Sequence, residues 1–361
     1  MLSLHELYMN RCLQLAQLAA GNTAPNPMVG AVLVHEGRII GEGYHKAYGQ
    51  PHAEVNCIAS VNKADENLIS KSVMYVSLEP CAHFGKTPPC ADLITKHDIP
   101  TVVIGCRDPF TEVDGKGIDK LKTAGIAVIA NVLEKECKTL NRRFFTFHTK
   151  HRPYIVLKWA QSNNGVIGDL GNNRLHISNA YTNRLVHKWR SEEAAILVGT
   201  NTARLDDPSL TTRLWPGKNP VRLVLDMELS LPHHLHLFDN AVTTIVFNRI
   251  QNTIESFDDI KNEENRTWYY QVTNDVSIVH QIIHALYHLR VQSVLIEGGA
   301  KLLQSFIDEG MWDEARIITN ENLEAGEGIK APMLGSSHPV KNERLFSDQV
   351  AYYSNNQSLS L

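Results

Sequence analysis

Pro51-His52-Ala53-Glu54, followed by Glu79-Pro80-Cys81 and then Pro88-Pro89-Cys90, is the pattern that decides how this chain is read. One imidazole and two thiolates make three ligands for zinc and leave a tetrahedral ion one open position for water. An open position is the mark of a catalytic ion, which lowers the pKa of its water toward ~7. Glu54 is the carboxylate that such a water needs, to take its proton and pass it to a leaving group. The spacing predicts a helix from Pro51 to about Asn62, with His52 and Glu54 in its first turn. Residues two apart do not share a helix face, so the two side chains reach the ion and its water from different sides. Pro88-Pro89 reads as a second helix start, where the helix dipole favours Cys90 as thiolate. A closed structural site, with His83 or Cys57 as fourth ligand, is the rival reading, and it leaves Glu54 without a task.

Outward from this pattern, strand and helix signals alternate. A helix is expected over 5–20, a Gly/Asn/Pro loop over 21–27, and apolar strands over 29–35 and 38–44. A buried strand over 73–77 leads into Cys81. The Cys90 helix, a strand over 101–105, a helix over 116–124, a strand over 126–130 and one closing helix over 131–147 complete a layered α/β unit, expected over 1–148. Ligand sites in such units lie beyond strand C-termini, beside helix N-termini. The polar stretch His148-Thr149-Lys150-His151-Arg152-Pro153 reads as a joint. A second α/β unit, expected over 152–361, opens with a strand over 154–160 and continues with strands over 196–199, 221–226, 244–247 and 294–297. The polar stretch 251–275 reads as a surface excursion.

Composition narrows the class. The 361 residues are 43% hydrophobic and 20% charged, which suits a globular rather than a disordered chain. No apolar run approaches the length that spans a bilayer. Six cysteines, at 12, 57, 81, 90, 106 and 137, lack the density of a secreted disulfide framework, and thiolate ligands suit a reducing compartment. With no signal-peptide pattern at the start, a cytoplasmic protein is expected. Residues 1–150 hold 16 Lys/Arg against 15 Asp/Glu, a formal +1, within a whole-chain charge of −4. A basic stripe for phosphate contacts is not visible in the sequence. The expected partner is a free small molecule, neither nucleic acid nor membrane.

The histidine–x–glutamate…proline–cysteine pattern is that of zinc deaminases, and a closer resemblance follows from its surroundings. Gly21-Asn22-Thr23-Ala24-Pro25-Asn26-Pro27-Met28-Val29-Gly30, Pro51-His52-Ala53-Glu54 and Pro80-Cys81-Ala82-His83-Phe84-Gly85-Lys86-Thr87-Pro88-Pro89-Cys90 resemble the bifunctional riboflavin-biosynthesis deaminase/reductase family. Deaminases of the nucleic-acid editing kind usually leave two residues between the cysteines; here there are eight. Arg107-Asp108-Pro109 and Gly115-Lys116-Gly117 fit the same family. The second half fits too, through Arg152-Pro153-Tyr154-Ile155-Val156-Leu157-Lys158, Trp189-Arg190-Ser191, Gly199-Thr200-Asn201-Thr202, Asp206 to Arg213, and Glu297-Gly298-Gly299-Ala300-Lys301-Leu302.

The resemblance implies a cytidine-deaminase-like three-layer α/β domain followed by a dihydrofolate-reductase-like α/β domain, one zinc ion per chain, NADPH, and a homodimer formed through the reductase domain. Its two reactions are hydrolytic deamination of a diaminopyrimidinone ribosylamine 5′-phosphate to the uracil form, then reduction of the ribosyl group to ribityl. It places Glu54 in catalysis and His52, Cys81 and Cys90 on the metal. Asn26, His83, Lys86, Thr87, Lys158, Arg174, Arg190, Leu210, Arg213 and Glu297 fall to the substrate. Gln161, His176, Thr202, Asp206, Met227, Gly299, Ala300, Lys301, Leu302, Leu303, Gln304 and Ser305 fall to NADPH, with Asp206 the nearest thing to an acid for the reduction. Physical reasoning adds that guanidinium binds phosphate bidentately, which favours Arg190 and Arg213, and that Gly298-Gly299 before a helix makes a phosphate cradle. The chain departs from the family at Gln161, at Met227 and across Arg174-Leu175-His176, and Lys86 replaces a commoner arginine without its planar fork.

Overall fold

The computed structural model describes residues 3–82, 84, 88–110, 113–170, 175–254, 259–260, 266–335 and 337–355. It divides into two compact units, Met1–His151 and Arg152–Leu361.

In the first unit the strands are β1 (Gly30–His35), β2 (Arg38–Tyr44), β3 (Val73–Leu78), β4 (Thr101–Cys106) and β5 (Ala127–Ile129), and the helices are α1 (Leu4–Gln17), α2 (Ala53–Ala59), α3 (Cys90–Lys96), α4 (Lys116–Thr123), α5 (Glu134–Leu140) and α6 (Arg142–Lys150). The sheet order is β2-β1-β3-β4-β5. β1 is antiparallel to both its neighbours, and β3, β4 and β5 run parallel. Side chains alternate across a strand, and here both faces are apolar. Ala31, Leu33, Met74, Val76, Val102 and Ile104 pack on Cys57, Ala91, Ile94 and Leu121 of α2, α3 and α4. Val32, Val34, Tyr75 and Val103 pack on Met9, Cys12 and Leu13 of α1 and on Cys137, Phe144 and Phe145 of α5 and α6. That is the three-layer unit expected.

Two expectations need correction here. His52 is not in the first turn of α2 but is its N-cap, with extended backbone (φ −71°, ψ 170°). The single closing helix is two, broken at Asn141, whose side chain accepts from Met28 N (2.8 Å) and donates to Met28 O (2.9 Å). A buried amide that completes the hydrogen bonds of a neighbouring loop is worth more there than one further helical turn.

The second unit contains β6 (Tyr154–Ser162), β7 (Val166–Asp169), β8 (Ala195–Val198), β9 (Val221–Leu225), β10 (Thr244–Asn248), β11 (Thr267–Gln271), β12 (Ser293–Glu297), β13 (Glu314–Asn320), β14 (Gly328–Lys330), β15 (Lys341–Leu345) and β16 (Asp348–Ser354). Its helices are α7 (Ala180–Glu192), α8 (Thr200–Asp206), α9 (Ile278–His288) and α10 (Ala300–Asp308). Nine strands form one sheet in the order β11-β10-β9-β8-β12-β6-β13-β16-β15, while β14 pairs with β7. The strands from β11 to β13 are parallel, and β16 and β15 add an antiparallel edge. α9 and α10 cover one face through Val279, Ile282, Leu286, Leu303 and Phe306; α7 and α8 cover the other through Val186, Trp189 and Ala203. The stretch 251–275 is therefore only partly an excursion, because β11 within it is the parallel edge strand beside β10.

Candidate functional site

The metal ligands of the first unit sit where parallel strands end and helices begin. β3 ends at Leu78 and delivers Glu79-Pro80-Cys81; Cys90 is the first residue of α3 and His52 caps α2. His52 Nδ1 lies 3.6 Å from Cys81 Sγ and 3.4 Å from Cys90 Sγ, and the three donor atoms fall within 4.8 Å of one another. Tetrahedral zinc, with bonds of ~2.0–2.3 Å, holds such donors roughly 3.3–3.8 Å apart. The donor set fits the ion in chemistry and in spacing. The Cys90 backbone N–H, an orphan donor of the helix start, points at Cys81 Sγ (3.3 Å). Hydrogen bonds, from Cys90 first and then His52, pull the Cys81 thiol well down toward thiolate, and the Cys90 thiol beside it is pushed up in return.

Glu54, in the first turn of α2, is only 3% exposed. Burial, and after it the Cys81 thiolate, raises its carboxyl above the ordinary range, which is the tuning a proton shuttle needs. Asn26 is held through His45, a residue the sequence reading passed over. His45 Nδ1 meets Pro51 O (3.1 Å), so its Nε2 is left to accept from Asn26 Nδ2 (3.3 Å). Burial keeps His45 neutral by lowering its pKa, and its ring stands edge-on to His52 at 5.4 Å. The Arg107–Pro109 segment brings Asp108 into the same neighbourhood, and burial pushes its carboxyl up to about 7. His83, Lys86 and Thr87 lie outside the described residues, as does Arg174 in the second unit.

The second unit assembles a charged knot at the end of adjacent parallel strands. Glu297, the last residue of β12, stands in register with Lys158 on β6. Arg190 of α7 grips it bidentately, Nε to Oε1 at 2.9 Å and Nη2 to Oε2 at 2.7 Å, and Lys158 Nζ lies 3.8 Å from Oε2. Burial alone would raise the Glu297 carboxyl; Arg190 and Lys158 overcome it and hold the group at about 2. The third nitrogen of Arg190 donates to Thr211 O (3.2 Å). Its fork is thus already engaged within the protein. Arg213 is exposed and, among the described residues, its guanidinium donates to the Thr211 hydroxyl at 3.4 Å, leaving its other nitrogens toward solvent. His187, another residue missed, lies one turn before Arg190 and accepts from Leu214 N (3.5 Å). Burial, then Arg190 and Arg213, lower it to about 4.

Beside this knot Gly298 and Gly299 both take left-handed backbone (φ +78° and +76°) ahead of α10. A Cβ on Gly298 would come within 2.9 Å of Thr202 Cγ2. The turn therefore packs directly on α8, and the two helix starts, after β8 and β12, face the gap where strand order departs from chain order. Gly299 and Ala300 thus stand at a helix start, whose N–H groups favour an anion, with Thr202 packed against the preceding glycine. The side chains of Leu302 and Leu303 are buried in the core. Gln304 is bonded to Asp308 and Met333, and the Ser305 hydroxyl to Leu302 O. Lys301 is exposed on α10. Leu210 is likewise buried, in the rare left-handed conformation (φ +52°), and Asp206 ends α8. Gln161 Oε1 accepts from Trp159 Nε1 (2.8 Å), Met227 packs against the core, and His176 is exposed.

Comparison with known proteins agrees with this division. Residues 2–106 match the family model of the cytidine and deoxycytidylate deaminase zinc-binding region, and residues 153–320 match that of the RibD C-terminal domain. The riboflavin biosynthesis protein RibD of Aquifex aeolicus is 38% identical over 330 residues, covering 91% of this chain and 90% of that protein. The Escherichia coli protein of the same name is 32% identical, covering 88% of each. The crystal structure of a Thermotoga maritima diaminohydroxyphosphoribosylaminopyrimidine deaminase/5-amino-6-(5-phosphoribosylamino)uracil reductase is similar with a TM-score of 0.84, at 36% identity, over 97% of this chain and 98% of that one. Acinetobacter baumannii RibD gives 0.83 at 28% identity, over 97% and 98%.

Proposed function

The chain belongs to the riboflavin-biosynthesis deaminase/reductase family, and from that premise we propose how its own residues divide the two reactions. It is a bifunctional enzyme, a zinc-binding deaminase followed by an NADPH-dependent reductase, and its substrates are small molecules. We assign the deaminase to 1–148 and the reductase to 152–361. Among the described residues no helix is long and apolar enough to cross a membrane, and we place the enzyme in the cytoplasm, acting on free phosphoribosylaminopyrimidine rather than nucleic acid, as a homodimer through the reductase domain.

In the first reaction water adds to the amine-bearing carbon of the pyrimidine and ammonia leaves. Zinc on His52, Cys81 and Cys90 supplies Lewis-acid activation of that water when bound. Glu54, raised by burial, accepts the proton and returns it to the departing nitrogen. Asn26, its amide fixed by His45, orients the ring, together with His83, Lys86 and Thr87. In the second reaction NADPH supplies the hydride when bound. The backbone start of α10 at Gly299 and Ala300, with Thr202 opposite, receives a cofactor phosphate. Arg213 takes the substrate phosphate, and Arg190 holds Glu297 toward the sugar. Lys158, half-buried beside Glu297, holds the proton for the opened ring at Nζ, a role we assign to it in preference to Asp206 at the far end of α8.

The observation that carries this reading is the convergence of His52, Cys81 and Cys90 around a spacing that fits zinc, with buried Glu54 beside it. The test is incubation of zinc-loaded protein with the phosphoribosylaminopyrimidine, with and without NADPH, and mass spectrometry of the products. Deaminated product without NADPH and ribityl product with it are expected. Zinc-loaded protein that turns over neither would sink the assignment.

A further inference from the structure

Glu79 stands two residues before the ligand Cys81 and is 4% exposed. Its carboxylate is spent on four backbone N–H groups of one distant loop. Oε2 accepts from Asp108 N (3.3 Å) and Gly115 N (3.1 Å), and Oε1 from Gly117 N (2.9 Å) and Ile118 N (3.2 Å). The last two are orphan donors at the start of α4, where a negative charge is favoured. The two backbones also touch. A Cβ on Gly117 would come within 1.9 Å of Pro80 O, the residue between Glu79 and Cys81. Gly115 takes left-handed backbone (φ +85°), with Arg107 over it bonded to Asp114.

We propose that Glu79 is a positioning residue of the deaminase, a buried carboxylate that joins the Pro80-Cys81 ligand segment to Asp108, Gly115 and the start of α4 and fixes the bearing of Cys81 on the metal. The inference rests on the reading of His52, Cys81 and Cys90 as zinc ligands. Glu79 touches neither metal nor substrate; it acts through Cys81 on one side and through the Asp108 backbone on the other. Its two oxygens have separate tasks, which makes the role separable by mutation. In Glu79→Gln one oxygen becomes an NH₂, so two of the four N–H donors face a donor instead of an acceptor, a buried mismatch. Glu79→Asp keeps the charge and both acceptors but is one methylene too short to reach both ends of the loop.

Partners that orient metal ligands from outside the coordination shell carry roughly 10–100-fold in metal affinity or activity. In full-length protein, zinc release to a chromophoric chelator is therefore expected to quicken at least tenfold in E79Q and by a smaller factor in E79D. The deaminase kcat should fall in the same order. Reduction of the deaminated intermediate by NADPH, read in the same samples, should stay at the wild-type rate, because the reductase lies in the other unit. A purely structural role would lower thermal stability and leave zinc release and kcat of the folded fraction unmoved. Wild-type zinc release and kcat in both variants would overturn the proposal. Should E79Q fail to fold, the charge-retaining E79D decides alone, by the same two readings. Wild-type protein that holds no zinc at all would instead overturn the ligand assignment beneath it.

Discussion

At the deaminase site four side chains from three separate segments converge, whereas in the reductase unit a turn of two glycines leads into the start of α10, the cradle we propose for the cofactor. The first site is specified by chemistry that only particular residue types can supply. The second relies on peptide groups, which every residue has, and on charges that already satisfy one another. Lys158, Arg190 and Glu297 form a closed knot of balanced charges, while His52, Cys81 and Cys90 bring three donor atoms within 4.8 Å of one another, a set that fits one zinc ion.

The sharpest way to break this comparison is to remove one group from the deaminase site. Glu54→Gln should lower deamination by about 10²–10⁴, the usual worth of a positioned proton carrier, with zinc content by atomic absorption and NADPH-dependent reduction unchanged. Near-wild-type deamination would remove Glu54 from its role. Stripping zinc with a chelator should likewise silence deamination and spare reduction of the deaminated intermediate; loss of both would dissolve the contrast between the sites.

In the balanced site, removing one charge should cost stability before chemistry. Glu297→Gln removes the buried carboxylate and leaves the half-buried Arg190 and Lys158 without their counter-ion, a change worth about 3–5 kcal/mol, visible as a lower urea midpoint for the unfolding of the reductase unit. An unchanged midpoint would mean that the knot contributes little. Gly298→Ala is expected to cost about 1–3 kcal/mol, because it places a Cβ at φ +78° and against Thr202. It should raise the KM for NADPH more than it changes the KM for the pyrimidine.

The smallest effect is acid sensitivity. His187 is held at about 4, below the ordinary value near 6.5, and Glu297 at about 2, below its ordinary 4.5. Both folded values are depressed. The stability they contribute is therefore complete above pH ~6.5 and is lost as pH falls, first toward 4 through His187 and then from 4.5 toward 2 through Glu297. Urea midpoints of the reductase unit should decline between pH 6.5 and 4, and His187→Gln should flatten that decline. An equally steep decline in the variant would assign it elsewhere.

The sequence was most legible where function depends on side-chain type at fixed spacing. His52, Glu54, Cys81 and Cys90 stand out because no packing argument asks for that set. The first sheet was readable throughout, and β6, β8, β9, β10 and β12 of the second, as apolar runs bounded by turn residues; β11, β13, β15 and β16 were not. What escaped was relational. His45 and His187 look like any half-apolar histidine until their partners, Asn26 and Leu214, are placed beside them. Nothing near Arg190 in sequence shows that Glu297, over a hundred residues later, would occupy its fork. The polar strands β15 and β16 gave no periodic signal, since their register comes from β13. The break at Asn141 was invisible because its cause is Met28, at the other end of the unit.

Cys81 closes onto the start of α3 through the Cys90 N–H···S contact, while each cysteine is carried by its own element on either side of the intervening eight residues. The metal geometry is thus indifferent to how long that connection is. Closing a loop costs only about 0.6 kcal/mol more for each doubling of its length. In engineering terms the connection is a cassette: its length can change at small cost while Cys81 and Cys90 keep their places after β3 and at the start of α3.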